Sequence, residues 1–184
     1  KDWKNLNGIW EFTIQEKEAP KPKKYDRQIL VPFAPETTLS GLKTQVAPSR
    51  KLWYKRHFFV PDHWSYKYIL LHIGASDWET TVYINGQNAG THRGGYDPVT
   101  LDITFFLKEK GRQEIEIEVW DPTDEHFQPV GKQKLKPEGI WYTPVSGIWQ
   151  TVWIEPVMWA SIKSLDVNTD IDKNEVHINA NTFQ

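Results

Sequence analysis

Apolar and polar residues alternate with a period of two along most of the chain, the spacing of a strand with one buried and one wet face. The runs WYKRHFFV (53–60), YKYILLHI (66–73), ETTVYI (79–84), QEIEIEVW (113–120) and WQTVWIEP (149–156) are short and rich in β-branched and aromatic residues. Gly, Pro, Asp or Asn bound them, as they bound strands in general. No segment keeps a helical period. The pattern predicts an all-β fold, an antiparallel sandwich or jelly roll with two packed sheets. In WETTVYINGQNAGTH (78–92), Asn85-Gly86 supplies the two positive-φ positions of a type I′ turn and predicts a hairpin. Ile148, Gln150, Val152 and Ile154 alternate with Trp149, Thr151, Trp153 and Glu155, which predicts one closing strand with Trp149 and Trp153 in packing roles. The charged, proline-broken EKEAPKPKK (16–24) cannot occupy a central strand and is read as a solvated loop.

After Pro156 the texture changes. SIKSLDVNTDIDKNEVHINANTF (161–183) alternates on both sides of DIDKNE, the pattern of a second hairpin. An isolated hairpin is marginal in water. Residues 159–184 are therefore expected to be the first strands of a further domain, with residues 1–158 forming the sandwich.

Composition narrows the partners. The chain has 184 residues, 25% of them charged, and a net charge of −2. Nothing concentrates Lys and Arg as a nucleic acid or an anionic membrane surface requires, so neither is expected as a partner. The absence of cysteine excludes disulfides, thiolate metal sites and a cysteine nucleophile, and leaves the compartment open. No run approaches the roughly 18 apolar residues of a membrane span. The opening KDWKNLNG, with neither Met nor an apolar signal stretch, reads as a cut or processed start.

Three features carry candidate chemistry. In EIEIE (114–118) the strand period sends Glu114, Glu116 and Glu118 to one face, about 6.5–7 Å apart along the strand, a spacing that overlaps that of glycosidase carboxylate pairs. The simpler reading makes Ile115, Ile117 and Val119 the core face and the glutamates the wet face of an antiparallel strand. Asp121 and Asp124, in WDPTDE, suit either a hard cation or ordinary turn chemistry. The six histidines form no ligand-spaced cluster, so no transition metal is expected and no cofactor is implied. Finally, GIWYTPVSGIWQTVWIEPV (139–157) gathers three tryptophans and a tyrosine, whose flat faces serve equally as core or as a sugar-stacking platform.

The ordered motifs LNGIWEF (6–12), VPFAPE (31–36), LWYKRHFFVP (52–61), VYINGQNAGTHRGGYDPVTLDIT (82–104) and SGIWQTVWIEP (146–156) span about 150 residues. Together they resemble the N-terminal sugar-binding domain of glycoside hydrolase family 2, the β-galactosidase, β-glucuronidase and β-mannosidase group. The resemblance implies a galactose-binding-like jelly roll, followed by an immunoglobulin-like sandwich and a TIM barrel that holds two catalytic glutamates for retaining hydrolysis. This stretch would then be noncatalytic, its partners being a carbohydrate substrate and its own downstream domains. In the family's galactosidases and glucuronidases an aspartate five positions before the Ser/Ala-Gly-Ile motif touches substrate. The matching position before Ser146-Gly147-Ile148 is Trp141, so galactoside or glucuronide specificity does not carry over.

Pro137, Gly139 and Pro144 keep the loop KPEGIWYTPV out of a sheet, which marks Trp141 and Tyr142 as exposed candidates for sugar contact or for a domain interface. Arg93, in THRGGYD, is a further candidate: its guanidinium suits hydroxyls or a carboxylate, and equally a salt bridge. Competing readings are a free-standing carbohydrate-binding module, a protein-interaction domain docking through the Trp141 loop, and a small sandwich glycanase using Glu114, Glu116 and Glu118. The resemblance leans toward a periplasmic or secreted bacterial enzyme.

Overall fold

The computed structural model describes residues 2–183. Fourteen strands follow in chain order: β1 (Lys4–Asn5), β2 (Gly8–Glu16), β3 (Arg27–Val31), β4 (Arg50–Phe58), β5 (Tyr68–Ile73), β6 (Ser76–Asp77) and β7 (Glu79–Ile84). The second half holds β8 (Gln87–Arg93), β9 (Val99–Asp102), β10 (Gln113–Trp120), β11 (Gly147–Ile148), β12 (Val152–Val157), β13 (Ser161–Asp170) and β14 (Glu175–Phe183). Helical structure among the described residues is confined to short 3₁₀ turns at Thr38–Ser40, Asp62–Trp64 and Thr104–Phe106. A six-stranded antiparallel sheet in the order β3-β2-β4-β10-β7-β8 faces a four-stranded one in the order β1-β12-β5-β9, giving the jelly-roll sandwich the alternation predicts. The short pair β11-β6 lies at one end, and β13-β14 form a two-stranded sheet of their own.

The core is where the two periodicities meet. Trp10, Phe12, Leu52, Tyr54, Ile115, Ile117 and Val119 from the larger sheet pack on Leu71, Ile73, Val152 and Ile154 from the smaller one, each at most 1% exposed. Burial of this much apolar area at about 25 cal/mol per Å² is the main stabilising term. The β7–β8 hairpin forms on Asn85 (φ 50) and Gly86 (φ 82), both left-handed, as its sequence requires.

Two elements depart from expectation. The predicted closing strand over 146–156 is two strands, because the amides of both Trp149 and Gln150 point at the Ala75 carbonyl, at 3.2 and 3.3 Å. Two residues thus share one acceptor, the ladder skips, and pairing resumes at Val152. Ile148, Val152 and Ile154 still reach the core, so the alternation survives the break. The segment 17–26 is also no free solvated loop. It folds back over the outer face of the larger sheet, where Lys21 and Tyr25 reach Glu116 and the Lys17 ammonium sits 3.2 Å from the Trp120 ring centroid.

On β13 and β14, Leu165, Val167 and Thr169 lie opposite Ala180, Ile178 and Val176, while Asp166, Asn168 and Asp170 lie opposite Asn179, His177 and Glu175. The extra residue at Lys163 restores Ile162 to the apolar side, across from Thr182. One face is apolar and the other polar, and Leu165, Val167, Val176 and Ile178 are all more than half exposed.

Candidate functional site

Chain direction reverses at one end of the sandwich through the 26-residue loop 121–146, between β10 and β11. A loop this long stays ordered only if its backbone polar groups find partners. At its root, Asp121 accepts from the Thr123 amide at 2.7 Å and from the Ser146 hydroxyl at 3.0 Å, so the first and last residues of the loop are joined directly. The Ser146 amide in turn donates to Glu36 at 3.1 Å. Gln133 accepts from the Val145 amide at 2.5 Å and donates to Asp77 at 3.4 Å, tying the middle of the loop to β6. Two glycines are required here by close approach. A Cβ on Gly95 would strike the Asp77 carboxylate, and one on Gly147 (φ +75) would strike the Tyr54 hydroxyl.

Glu36, Asp77 and Asp121 thus form a carboxylate floor under the loop, with Asp77 and Asp121 each 5% exposed. Burial pushes Glu36 up to about 7, reinforced by the charge of Asp121, against the pull of the Ser146 amide. Burial likewise pushes Asp77 up to about 7, with Asp121 and Glu36 adding repulsion. Asp121 is raised by burial, against its bonds to Thr123 and Ser146. Asp121 therefore serves turn chemistry, and Asp124 pairs with Lys134 at 3.4 Å. The floor was not read from the sequence. Its acids lie in the separate motifs VPFAPE, SDW and WDP, in irregular segments where alternation gives no burial signal.

Above the floor the loop folds on itself. The Tyr142 amide donates to the Lys132 carbonyl at 2.7 Å, the Lys134 amide to Tyr142 at 3.0 Å, and a turn at Gly139 (φ 58) closes with Trp141 bonded to Glu138 at 3.1 Å. The tip holds Trp141, 43% exposed, and Tyr142, 62% exposed. Lys134 lies 5.3 Å from the Trp141 ring and Lys132 lies 5.7 Å from the Tyr142 ring, which orients both aromatics by cation–π contact. Trp149, by contrast, is a clip: its indole donates to the Gly95 carbonyl at 2.8 Å and packs edge-on against Tyr96. Trp153 stacks on His72 at 4.7 Å.

Arg93 is not part of this tip. It lies directly across the β7–β8 pair from Glu79, and its Nε donates to that carboxylate at 2.6 Å, the salt bridge weighed against a ligand role. The pair lines a groove of about 380 Å³ whose walls include Trp78, Trp120, Phe127 and Gln128 and neither Trp141 nor Tyr142.

The glutamate trio faces outward as the strand period demands, and every member is engaged. Lys51 meets Glu118 at 2.8 Å, Lys55 meets Glu114 at 2.7 Å, and His57 meets Glu114 at 3.1 Å. Glu116 is only 3% exposed beneath Lys21 and the Tyr25 hydroxyl, which donates to it at 2.8 Å. Burial works to raise Glu114, yet Lys55 and His57 hold it below the usual carboxylate range. None is left facing a cleft as an acid or nucleophile would.

A jelly roll with an aromatic-tipped loop at one end places the chain among the antiparallel β-sandwich domains. The family description "Glycosyl hydrolases family 2, sugar binding domain" matches residues 21–155, and the chain belongs to that family. A β-galactosidase of Thermoanaerobacter pseudethanolicus is 33% identical over 123 residues, 66% of this chain and 15% of that protein. A β-glucuronidase of Paenibacillus borealis is 32% identical over 108 residues, 55% of this chain and 18% of that protein. Among solved structures, the β-D-glucuronidase of Dictyoglomus thermophilum superposes with a TM-score of 0.74 at 27% identity, over 98% of this chain and 32% of its own. A β-glucuronidase from an uncultured Clostridium gives 0.77 at 25% identity, over 98% and 34%. The chain thus spans less than a fifth of these curated relatives and about a third of these structures.

Proposed function

We propose that the chain is the noncatalytic N-terminal domain of a retaining family 2 glycosidase, whose two catalytic glutamates lie in a barrel domain beyond it. Its role is to pack on that barrel and to hold the 121–146 loop at the sugar site, with Trp141 and Tyr142 presenting an apolar face to the ring. Residues 159–184 are the first strands of an immunoglobulin-like domain, which covers the apolar face of the β13–β14 hairpin. The observation that carries this reading is the construction of the loop: a root of buried Asp121 and Ser146 tied to half-buried Glu36, beneath an exposed aromatic tip. A rigid root and a presented tip are what positioning a substrate contact requires.

The test is Trp141→Ala in the full-length enzyme. Loss of one stacked aromatic is expected to lower kcat/KM roughly tenfold to a hundredfold, with the melting temperature unchanged. Unaltered kinetics would remove the loop from the sugar site. The 184-residue chain alone is expected to release no chromophore from nitrophenyl glycosides.

A further inference from the structure

The groove at Arg93 is used by nothing described above. We infer that it is a glycan-binding site that takes an uncharged pyranose with two adjacent free hydroxyls, a reading that rests on the carbohydrate role of the domain. The Arg93–Glu79 pair, Nε to Oε2 at 2.6 Å, engages only one guanidinium nitrogen. Arg93 is 70% exposed, and among the described residues neither of its Nη atoms has a hydrogen-bond partner. A guanidinium that donates to one hydroxyl oxygen, beside a carboxylate that accepts from the next hydroxyl, matches a vicinal diol.

The apolar face of such a ring needs a flat surface, and the groove has one. Phe127 is fully exposed and Trp78 half-buried, and both line the groove. Trp120 serves as wall only, since Lys17 already covers its ring and His126 packs edge-on at 5.6 Å. Charge decides the class of sugar. Glu79 and Arg93 cancel, Asp124 is paired with Lys134, and Glu125 adjoins the groove residue His126 in sequence. A uronate carboxylate would have to approach Arg93 against Glu79, and the Lys17 ammonium at the Trp120 wall is already held 3.2 Å from that ring's centroid.

The test titrates the 184-residue chain with methyl β-D-glucopyranoside, methyl β-D-galactopyranoside and methyl β-D-glucuronide at about pH 7.5, where the sugar carboxylate of the glucuronide is ionised. Binding is followed by the tryptophan indole N–H resonances. A neutral glycoside is expected to shift the Trp78 signal saturably with a Kd on the order of 1 mM, and the glucuronide to bind at least about fivefold more weakly. Phe127→Ala and Arg93→Ala should each weaken binding about tenfold with the melting temperature unchanged, and Glu79→Gln should narrow the preference for the neutral sugar. Trp141→Ala should leave the titration unaltered, so failure of this site and failure of the loop reading are separate results. No saturable shift with either neutral glycoside, equal or tighter binding of the glucuronide, or full affinity in Phe127→Ala would each overturn the inference.

Discussion

Glu36, Asp77 and Asp121 meet where the loop leaves and re-enters the sandwich, and burial favours their neutral forms. Unfolded, each carboxyl titrates near 4; folded, Glu36 and Asp77 are pushed up to about 7. A carboxyl whose folded value lies above its unfolded one stabilises the fold fully below the unfolded value. That contribution fades as pH rises through the folded value. The chain should therefore lose on the order of a few kcal/mol between about pH 5 and about pH 8, a fall of roughly 5–10 °C in melting temperature. Glu114, held low by Lys55 and His57 against its burial, acts in the opposite sense and only below about pH 4. Asp77→Asn, which keeps the shape and cannot ionise, should flatten the calorimetric pH profile by about half. An unchanged slope in this variant would place the titration elsewhere. At this scale the sequence reading found the exposed residues more easily than the buried ones. Pro137, Gly139 and Pro144 marked Trp141 and Tyr142 for exposure, whereas nothing local distinguishes Asp77, whose environment comes from Gly95, Gln133 and Asp121, 18 to 56 positions away.

Elements with a period announced themselves: β4, β5, β7, β10 and the Asn85-Gly86 turn all form as their alternation and turn chemistry dictate. The failures are aperiodic. Glu116 belongs to a strand whose pattern calls for a wet face, yet it is dry because residues 17–26, far away in sequence, lie across it. That strap makes a prediction of its own. Tyr25→Phe removes one neutral donor and should cost about 1 kcal/mol. Lys21→Met leaves the buried carboxylate with Tyr25 and with Lys55 at 3.9 Å, and should cost about 2–3 kcal/mol. Adding Glu116→Leu to Lys21→Met should recover much of that loss, because an apolar pair no longer strands a charge. Urea unfolding of Lys21→Met, Glu116→Leu and the double variant that combines them gives the coupling directly. Simple additivity would mean that the strap and the sheet are energetically independent. The break between β11 and β12 has the same origin as the strap, since the shared Ala75 acceptor lies in the β5–β6 connection, which the 146–156 pattern does not contain.

Taken whole, the described residues form a two-sheet sandwich and a separate two-stranded sheet. The sandwich buries Trp10, Tyr54, Ile73, Ile117 and Ile154 between two sheets, while the β13–β14 hairpin has one apolar face that, among the described residues, is largely exposed. A two-stranded sheet draws little stability from its own ladder and needs burial of that face. Because among the described residues the hairpin pairs with no strand of the sandwich, deleting residues 160–184 should leave the melting temperature of the rest within about 2 °C. Its own amides should exchange quickly in the 184-residue chain, with opening free energies near zero, while those of β4 and β10 exchange only through global unfolding. In a longer chain that includes the proposed immunoglobulin-like domain, Val167, Val176 and Ile178 become core residues. The amides of both strands should then slow by at least about a hundredfold in hydrogen–deuterium exchange. Polar substitution discriminates further: Val167→Thr should be nearly silent in the short chain and cost about 1–2 kcal/mol in the longer one, because only there is its apolar surface removed from water. A hairpin already protected in the short chain would instead mean that it folds by itself, and the partner assigned to its apolar face would be unnecessary.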